Sequence, residues 1–377
     1  MPVASRLLGM RSKLALSATL LAALVGITGC SSSAPEPTPT QSATPTQSQT
    51  QTPEPEPEPV FVPAPLTGVL YEEGTNPLLA LPAISAKIDN TTPGRPQLAL
   101  NDADVVYVTR VEVGLTRLLP VWHSRMPQTI GPVRSVRPVD ALIIDPYDGI
   151  FVYSGGQAPF KSAAKATGLV MSDEDTEMDN DTYFREESRV APWNLYFKAA
   201  DLQQLYAAEQ PAPKPGFVFD AIPTAVASGT PVLGLSVDYP EMFSQWELGT
   251  ATFPWSAAAE PAWLRTQDRK EHVQDDGARV VAKNVVVIEV VHDLSFVDQK
   301  YGAIPKAKIV DNAGIAHVFS DGYYIQGTWA KGAQDEPILL FDEAGEPLKL
   351  AIGNTWVEMM DLPRSSLDIV LPEAASE

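Results

Sequence analysis

The sequence concentrates arginine between residues 95 and 137, where no lysine occurs. The six arginines stand at positions 95, 110, 117, 125, 134 and 137. The acids within the same segment are Asp102, Asp104 and Glu112, so its net charge is +3. Guanidinium groups bind phosphate and carboxylate groups through paired N–H donors. The segment therefore predicts a local anion-binding site.

The end of this segment brings two of the arginines together. Arg134 and Arg137 are three positions apart, a spacing that lets both side chains contact one phosphate or carboxylate. A helix is predicted to follow, with Ser135 as its cap and Pro138 in its first turn. Free backbone amides at the start of a helix favour a bound anion.

Neighbouring strands and turns supply the rest of the candidate site. Leu115–His123 is predicted as a strand in which Arg117 and His123 share a face. The turn between Val152 and Gln157 contains two glycines, and such a turn can direct backbone amides at an anion, although a plain tight turn is the more common outcome. The predicted ligand-binding residues are Arg95, Arg117, Arg134, Ser135 and Arg137, and the supporting residues are Asp89, Asp104, His123, Gly155 and Gly156.

Structural roles stay open for these same residues. The arginines can form ion pairs with acids, of which the chain offers 47. His123 can be a packed core residue instead of a base. The nearby acids that would pair with the arginines are Asp89, Asp102, Asp104, Glu112, Asp140 and Asp145.

Other motifs give weaker signals for chemistry. Ser154 lies at a predicted strand-to-helix turn, but Val152 stands where a nucleophile elbow requires glycine. The acidic run Asp173–Asp181 lacks the spacing of an EF-hand and is predicted to be a solvated loop. One cysteine, Cys30, excludes a disulfide framework and a multi-thiolate metal site. We predict no metal and no cofactor.

The first thirty residues have the layout of an export signal. Residues 1–13 are positively charged, and residues 14–25 form an apolar run too short to span a bilayer comfortably. The tetrad Ile27-Thr28-Gly29-Cys30 resembles the bacterial lipobox, whose cysteine is lipidated, with palmitate as an expected acyl group. Met10 is an alternative start, and a plain secretory signal is the alternative to a lipobox. We predict a lipoprotein anchored at the extracytoplasmic face of the cell membrane.

Charge and composition limit the partners of the exported chain. The whole chain has 27 basic and 47 acidic residues and therefore a net charge of −20. Loss of residues 1–29 removes three basic residues and no acid, so the net charge of the exported chain is −23. Such a chain is repelled by nucleic acid, so no nucleic-acid partner is expected.

Residues 31–65 hold 10 of the 35 prolines and predict a disordered or extended stalk.

Two domains are predicted to follow the stalk. The first mixes strands such as Ala103–Val111 and Leu115–Trp122 with helices such as Ala158–Ala166. The second alternates strands with turns such as Asp321-Gly322. The predicted class is α+β, a mixed α/β N-terminal domain followed by a mostly antiparallel β C-terminal domain. The bounds are 1–29 for the signal peptide, 30–65 for the lipidated cysteine and stalk, 66–215 for the N-terminal domain, 216–260 for a Pro- and Gly-rich connection, 261–365 for the C-terminal domain and 366–377 for a tail.

The sequence resembles the YerB-like lipoprotein family over most of residues 80–362. Two fairly specific matching blocks are Ile130–Ser135 (IGPVRS) and Gly353–Trp356 (GNTW). The chain departs from the pattern at Val108, where we expect Glu, and at Val113, where we expect Gly. The resemblance implies a membrane-tethered extracytoplasmic protein, mainly of Gram-positive bacteria, with two α+β domains and no assigned reaction.

These observations favour a non-catalytic module that binds an anionic cell-envelope ligand or regulates an envelope protein. The expected partners are the membrane, through the lipid at Cys30, and a cell-wall polymer or envelope protein. One alternative is a phosphate-handling hydrolase or phosphotransferase acting on an envelope intermediate, with Asp89 or Asp104 as base or metal ligand. Another is a protein-interaction scaffold with purely structural arginines. Trp329 and Trp356 fit a stacking surface or, more commonly, a buried core.

Overall fold

Strands that are apolar on both faces form the centre of the fold. The computed structural model describes residues 58–373. Within them, Asn284–Asp293, Thr355–Leu362 and Val105–Arg110 lie side by side and are mostly buried. Thr355–Leu362 is the middle strand and runs parallel to both neighbours. Continuous burial along such strands means that both faces of the sheet are covered.

A mixed sheet of thirteen strands, named here the central sheet, surrounds these three strands. Its consecutively paired strands are, in order, Thr230–Pro231, Tyr323–Lys331, Asn312–Ser320, Asn284–Asp293, Thr355–Leu362, Val105–Arg110, Thr116–Trp122, Ile84–Ala86, Ile150–Val152 and Val170–Ser172. Three short strands pair beside this path, namely Lys306–Ala307, Leu339–Phe341 and Ile88–Asp89.

A second sheet, named here the small sheet, has six strands and is antiparallel. Its strands are, in order, Lys270–Glu271, Ala259–Gln267, Phe243–Thr252, Gly234–Asp238 and Ser366–Val370, with Val281–Ala282 beside Ala259–Gln267. The other described strands form a three-stranded sheet (Tyr183–Arg185, Leu195–Lys198, Thr129–Ile130) and three pairs (Phe61–Pro63 with Leu70–Glu72, Val218–Asp220 with Lys349–Ala351, Val297–Asp298 with Gly302–Ala303).

Helices are short throughout the described chain. The α-helices are Asp140–Ile144, Ala158–Lys165, Ala199–Leu205 and Thr224–Ser228. Single 3₁₀ turns occur at Pro77–Ala80, Thr92–Gly94, Leu100–Asp102, Glu112–Gly114 and Asp145–Tyr147. None of the helices within residues 58–373 has the length and apolarity needed to cross a bilayer.

The core lies on both faces of the central sheet. Side chains alternate along a strand, so Val105 and Tyr107 face one side and Val106 and Val108 the other. The first side packs against helices Asp140–Ile144 and Ala158–Lys165, and the second packs against the small sheet and helix Ala199–Leu205. Trp329 and Trp356 are fully buried in these two cores, as the interpretation of both as core residues predicts.

The predicted α+β class is corrected by this architecture, which is mostly β. The N-terminal half contributes strands of a mixed sheet and few helical residues, instead of the predicted α/β domain. The mainly antiparallel pairing predicted for the C-terminal half is present. The interval 216–260, predicted as a connection, contains the strands Gly234–Asp238 and Phe243–Thr252 of the small sheet. The predicted tail, residues 366–377, begins with the strand Ser366–Val370 of the same sheet. The domain bounds themselves stay predictions.

The turn Glu112–Gly114 contains a backbone conformation that its sequence does not favour. Val113 has φ 57° and ψ 23°, which is the left-handed region. A β-branched residue rarely adopts this region because its Cβ crowds the backbone. Glycine, the residue that the family pattern places here, has no such penalty. The turn therefore holds strain next to Glu112.

Candidate functional site

Three of the predicted anion-binding arginines line one cavity of about 250 Å³, named here the arginine cleft. Its polar side is formed by Glu112, Arg117, Arg134, Ser135 and Arg137. The other lining residues, mainly apolar and named here the apolar side, are Gly156, Gln157, Phe160, Tyr301 and Ile304.

Backbone hydrogen bonds position Arg134, and strand pairing positions Arg117. The N–H of Arg134 donates to the carbonyl of Lys87 at 2.7 Å, and the carbonyl of Arg134 accepts from Ser154 at 2.9 Å. Arg117 lies on strand Thr116–Trp122, where it pairs with Asp89 of the neighbouring strand. Residues far apart in sequence therefore meet beside strand Thr116–Trp122 of the central sheet.

Glu112 binds two of the arginines at once. Its carboxylate accepts from Arg137 Nε at 2.6 Å and from Arg137 Nη2, and it lies 3.4 Å from Arg117 Nη2. Burial opposes the ionisation of Glu112, but the hydrogen bond from Arg137 and the charges of both arginines outweigh it and lower the pKa to about 2. Glu112 is therefore a fixed negative charge at neutral pH and a poor proton donor.

Arg117 is held in the same network. Burial, followed by the charge of Arg137, lowers the pKa of Arg117 to about 10. The side chain stays positively charged at neutral pH. Its Nη1 donates to the carbonyl of Ser135 at 3.1 Å, which fixes the guanidinium against the cleft wall.

Arg134 is the most accessible arginine of the cleft. Its side chain is 18% exposed, against 8% for Arg117 and 10% for Arg137. Arg134 Nε lies 2.8 Å from Asp89 Oδ2, and Nη1 donates to the carbonyl of Pro192 at 3.0 Å. These contacts fix the guanidinium group of Arg134, which lines the cleft.

A buried ion pair lies close to the arginines. Lys87 Nζ donates to Asp140 Oδ1 and to Thr109 Oγ1, both at 2.7 Å, and Lys87 is fully buried. Burial lowers the pKa of Lys87 to about 8, although Asp140 opposes that shift. Asp140 also accepts from the N–H of Arg137 at 2.7 Å. This pair adds no net charge to the site.

The charges of the cleft leave a small positive excess. Three guanidinium groups of Arg117, Arg134 and Arg137 stand against the carboxylates of Glu112 and Asp89. One positive charge is therefore uncompensated within a chain of net charge −20. A positive excess in a partly enclosed cavity attracts anions over a distance near the Debye length.

The apolar side of the cleft comes from both halves of the chain. Phe160 lies on helix Ala158–Lys165, and its ring packs against Phe296 with the centroids 4.9 Å apart. Tyr301 lies within the 297–303 hairpin, and Ile304 directly follows it. Gln157 Nε2 donates to Asp298 Oδ2 at 2.7 Å, which fixes this hairpin beside the cleft.

Several predicted site residues lie outside the cleft. Arg95 pairs with Asp268 at 2.7 Å, at a turn of the small sheet. Asp104 accepts from the N–H and Oγ of Ser124 at 2.7 and 2.6 Å, and burial raises its pKa to about 6. His123 is fully buried, and burial lowers its pKa to about 4.

The turns contribute less than the sequence predicts. Gly156 lines the cleft, with φ 142° and a Cβ position blocked by Val136 at 2.5 Å, whereas Gly155 does not line it. Ser135 lines the cleft but does not cap a helix, because the helix begins at Asp140 with Val139 before it. The predicted cap is therefore wrong.

The alternative of structural ion pairs holds for the arginines outside the cleft. Arg110 pairs with Asp361, and Arg125 pairs with Asp102 at 2.6 Å. Within the cleft, the same kind of pairing holds the side chains but leaves them facing a cavity. No group of three or more acidic, histidine or cysteine side chains within residues 58–373 is arranged to hold a metal ion.

Sequence reasoning missed part of the cleft. Lys87, which lies beside the cleft, carried a signal, because it is the one charged residue of the segment 83–88. Phe160, Tyr301 and Ile304 carried none, since nothing in a local pattern tells which distant residues will meet. Glu112 was named as an ion-pair partner and not as the shared partner of two arginines.

Two family models match the chain. The N-terminal domain of a protein of unknown function (DUF3048) matches residues 66–212, and the C-terminal domain of DUF3048 matches residues 243–357. The chain belongs to the DUF3048 family. The arginines of the cleft lie in the first DUF3048 domain and Tyr301 and Ile304 lie in the second, so the two domains form the cleft together.

A relative and a solved structure support this assignment. "Putative lipoprotein YerB" of Bacillus subtilis (strain 168) is 24% identical over 312 residues, which cover 81% of this chain and 88% of the relative. A crystal structure of YerB from Bacillus subtilis matches with a TM-score of 0.66 and 20% identity, over 81% of this chain and 99% of that chain. The structural match shows the shared fold. Cys30, the predicted lipidation site, lies outside the described residues.

Proposed function

We propose that this DUF3048 protein is a lipid-anchored, extracytoplasmic binding module whose arginine cleft holds an anionic component of the cell envelope. The observation that supports it is the convergence of Arg117, Arg134 and Arg137 on one cavity with an excess positive charge. A relative named as a lipoprotein and the lipobox-like segment ending at Cys30 support the location.

Binding fits the cleft better than catalysis does. Glu112, the carboxylate nearest the arginines, keeps its charge down to a pKa of about 2 and cannot exchange protons near neutral pH. Asp104, the base that a phosphotransferase mechanism would use, lies at Ser124 outside the cleft. Asp89 is engaged by Arg134 and by the N–H of Thr91 at 2.7 Å.

The test is co-sedimentation of the full lipidated protein, in neutral detergent, with cell walls purified from the cells that produce it. Arg134→Gln should lower the affinity about tenfold or more, because a charge-assisted hydrogen bond is lost at an accessible position. Raising the salt concentration should weaken binding by the wild type.

Arg125→Gln is the matched control. It removes the same charge from a side chain that pairs with Asp102 and lines a different groove. Its affinity should equal that of the wild type. Equal binding by the wild type and Arg134→Gln, or no binding by the wild type, would contradict the proposal. Salt-insensitive capture of one envelope protein, unaffected by Arg134→Gln, would support the scaffold alternative instead.

A further inference from the structure

The charge of the cleft limits the charge of its ligand. Arg117, Arg134 and Arg137 exceed Glu112 and Asp89 by one positive charge. Glu112 cannot be neutralised by protonation near neutral pH, so the excess stays at one. A singly charged anion would balance the site. A doubly charged anion would leave one negative charge uncompensated in a partly buried place, which is unfavourable.

The free N–H donors limit the shape of the ligand. Four of the five N–H groups of Arg137 already donate to Glu112 and to the carbonyls of Ser135 and Val136. Arg117 and Arg134 each make fewer hydrogen bonds and ion pairs with other residues of the range 58–373. Each therefore keeps more of its guanidinium N–H groups free than Arg137 does.

Donors that come singly from separate side chains suit a tetrahedral anion. A planar carboxylate instead prefers one complete guanidinium fork, and Glu112 already occupies the fork of Arg137. Ser135 also lines the polar side, and its hydroxyl can add a donor from a third direction.

The apolar side limits what is attached to the anion. Phe160 and Ile304 are buried, while Tyr301 lines the cleft and is 45% exposed. Aromatic and aliphatic walls of this kind accept the face of a ring. A volume of about 250 Å³ is below the usual range for a complete drug-sized ligand, so it suits one charged group and one attached ring.

We propose that the arginine cleft selects a phosphodiester, a singly charged phosphate joined to a ring, over a doubly charged phosphate monoester. The inference rests on the proposed function and names the class of ligand for the same cleft. Phosphodiester-linked sugar polymers present such groups repeatedly along a chain.

The test is isothermal titration calorimetry of the full lipidated protein, in neutral detergent at pH 7, where Lys87 is mostly charged, with three small probes. Methyl phenyl phosphate is a singly charged diester, phenyl phosphate is mostly doubly charged at this pH, and benzoate is a planar single charge. The diester should bind about tenfold more tightly than either of the other two. Phenyl phosphate should gain affinity as the pH falls from 7 to 5, because it takes up a proton, whereas the diester should not.

Charge variants of the cleft provide a second measurement. Glu112→Gln raises the excess charge to two, so the preference for the diester over phenyl phosphate should fall about tenfold. Asp89→Asn makes the same change at Arg134 and keeps the test available if Glu112→Gln fails to fold.

The outcomes separate this inference from the proposed function. Tighter binding of phenyl phosphate or of benzoate at pH 7 would overturn the inference and leave an anion-binding cleft. Failure of all three probes to bind, with wall binding still dependent on Arg134, would also overturn it. Wall binding that is equal for the wild type and Arg134→Gln, or absent for the wild type, would instead overturn the proposed function.

Discussion

Glu112 decides how the arginines of the cleft are held. Without a carboxylate between them, the guanidinium groups of Arg117 and Arg137 would repel each other in a partly buried place. Glu112 contacts both, and its side chain is only 7% exposed. A single acid thus stabilises two arginines while leaving excess positive charge for a ligand.

Glu112→Gln should destabilise the protein by about 3 kcal/mol at pH 7, because it leaves two buried arginines without their carboxylate. The cost should depend on pH. The pKa of Glu112 is about 2 in the folded protein, below the ordinary value of 4.5. The unfolded chain therefore binds more protons between these values, so the stabilisation is present above pH 4.5 and is lost as the pH falls towards 2.

The measurement is urea denaturation of both proteins from pH 7 to pH 2.5. The difference in unfolding free energy between wild type and Glu112→Gln should shrink below pH 4.5. Glu343→Gln, at an exposed turn, is the control and should cost less than about 0.5 kcal/mol at pH 7. A difference that stays constant with pH would refute the assigned role of Glu112.

Residue spacing predicted part of this site and could not predict the rest. The spacing of Arg134 and Arg137 predicts that they lie together, and both line the cleft. It could not choose Glu112 as the partner of Arg137 or Asp89 as the partner of Arg134, because 47 acids compete and an ion pair leaves no local sequence pattern. Arg95 belongs to the same arginine-rich segment, yet it pairs with Asp268 in another part of the fold.

At the level of elements, β-branched and aromatic runs predicted the strands better than any other feature. The strands expected at Ala103–Val111 and Leu115–Trp122 are present as Val105–Arg110 and Thr116–Trp122. The helix after Arg137 was predicted with Ser135 as its cap and Pro138 in its first turn, but it begins at Asp140. Asp140 instead reaches back to the N–H of Arg137, so the helix satisfies that donor from within its own first turn.

The turn Glu112–Gly114 carries a test at this scale. Val113→Gly should stabilise the protein by about 1 kcal/mol, because relief of the left-handed strain at a β-branched residue exceeds the entropy cost of glycine. Val113 is 63% exposed, so little packing is lost. Chemical denaturation at pH 7 measures the change.

Val190→Gly is the control for that substitution. Val190 is also exposed, and its φ is not positive, so the glycine should bring no gain there. Stabilisation by Val190→Gly equal to that by Val113→Gly would show that backbone strain at the turn is not the cause.

At the scale of the whole molecule, the two DUF3048 domains share one sheet. Thr355–Leu362, near the C-terminal end, pairs with Asn284–Asp293 on one side and with Val105–Arg110 on the other. Periodicity predicts that each segment is a strand but not its partner, because pairing between distant strands leaves no local signal. The position of the cleft between the two domains was hidden from the sequence for the same reason.

A shared sheet should make residues 58–373 unfold as one cooperative unit. Val106 and Val287 are fully buried in the same core but belong to different halves of the chain. Val106→Ala and Val287→Ala should each cost about 2 kcal/mol and lower the midpoint of one common transition by several degrees. Differential scanning calorimetry of the full protein measures this. Two transitions, with each substitution shifting only one of them, would mean that the halves unfold independently despite the strand that joins them.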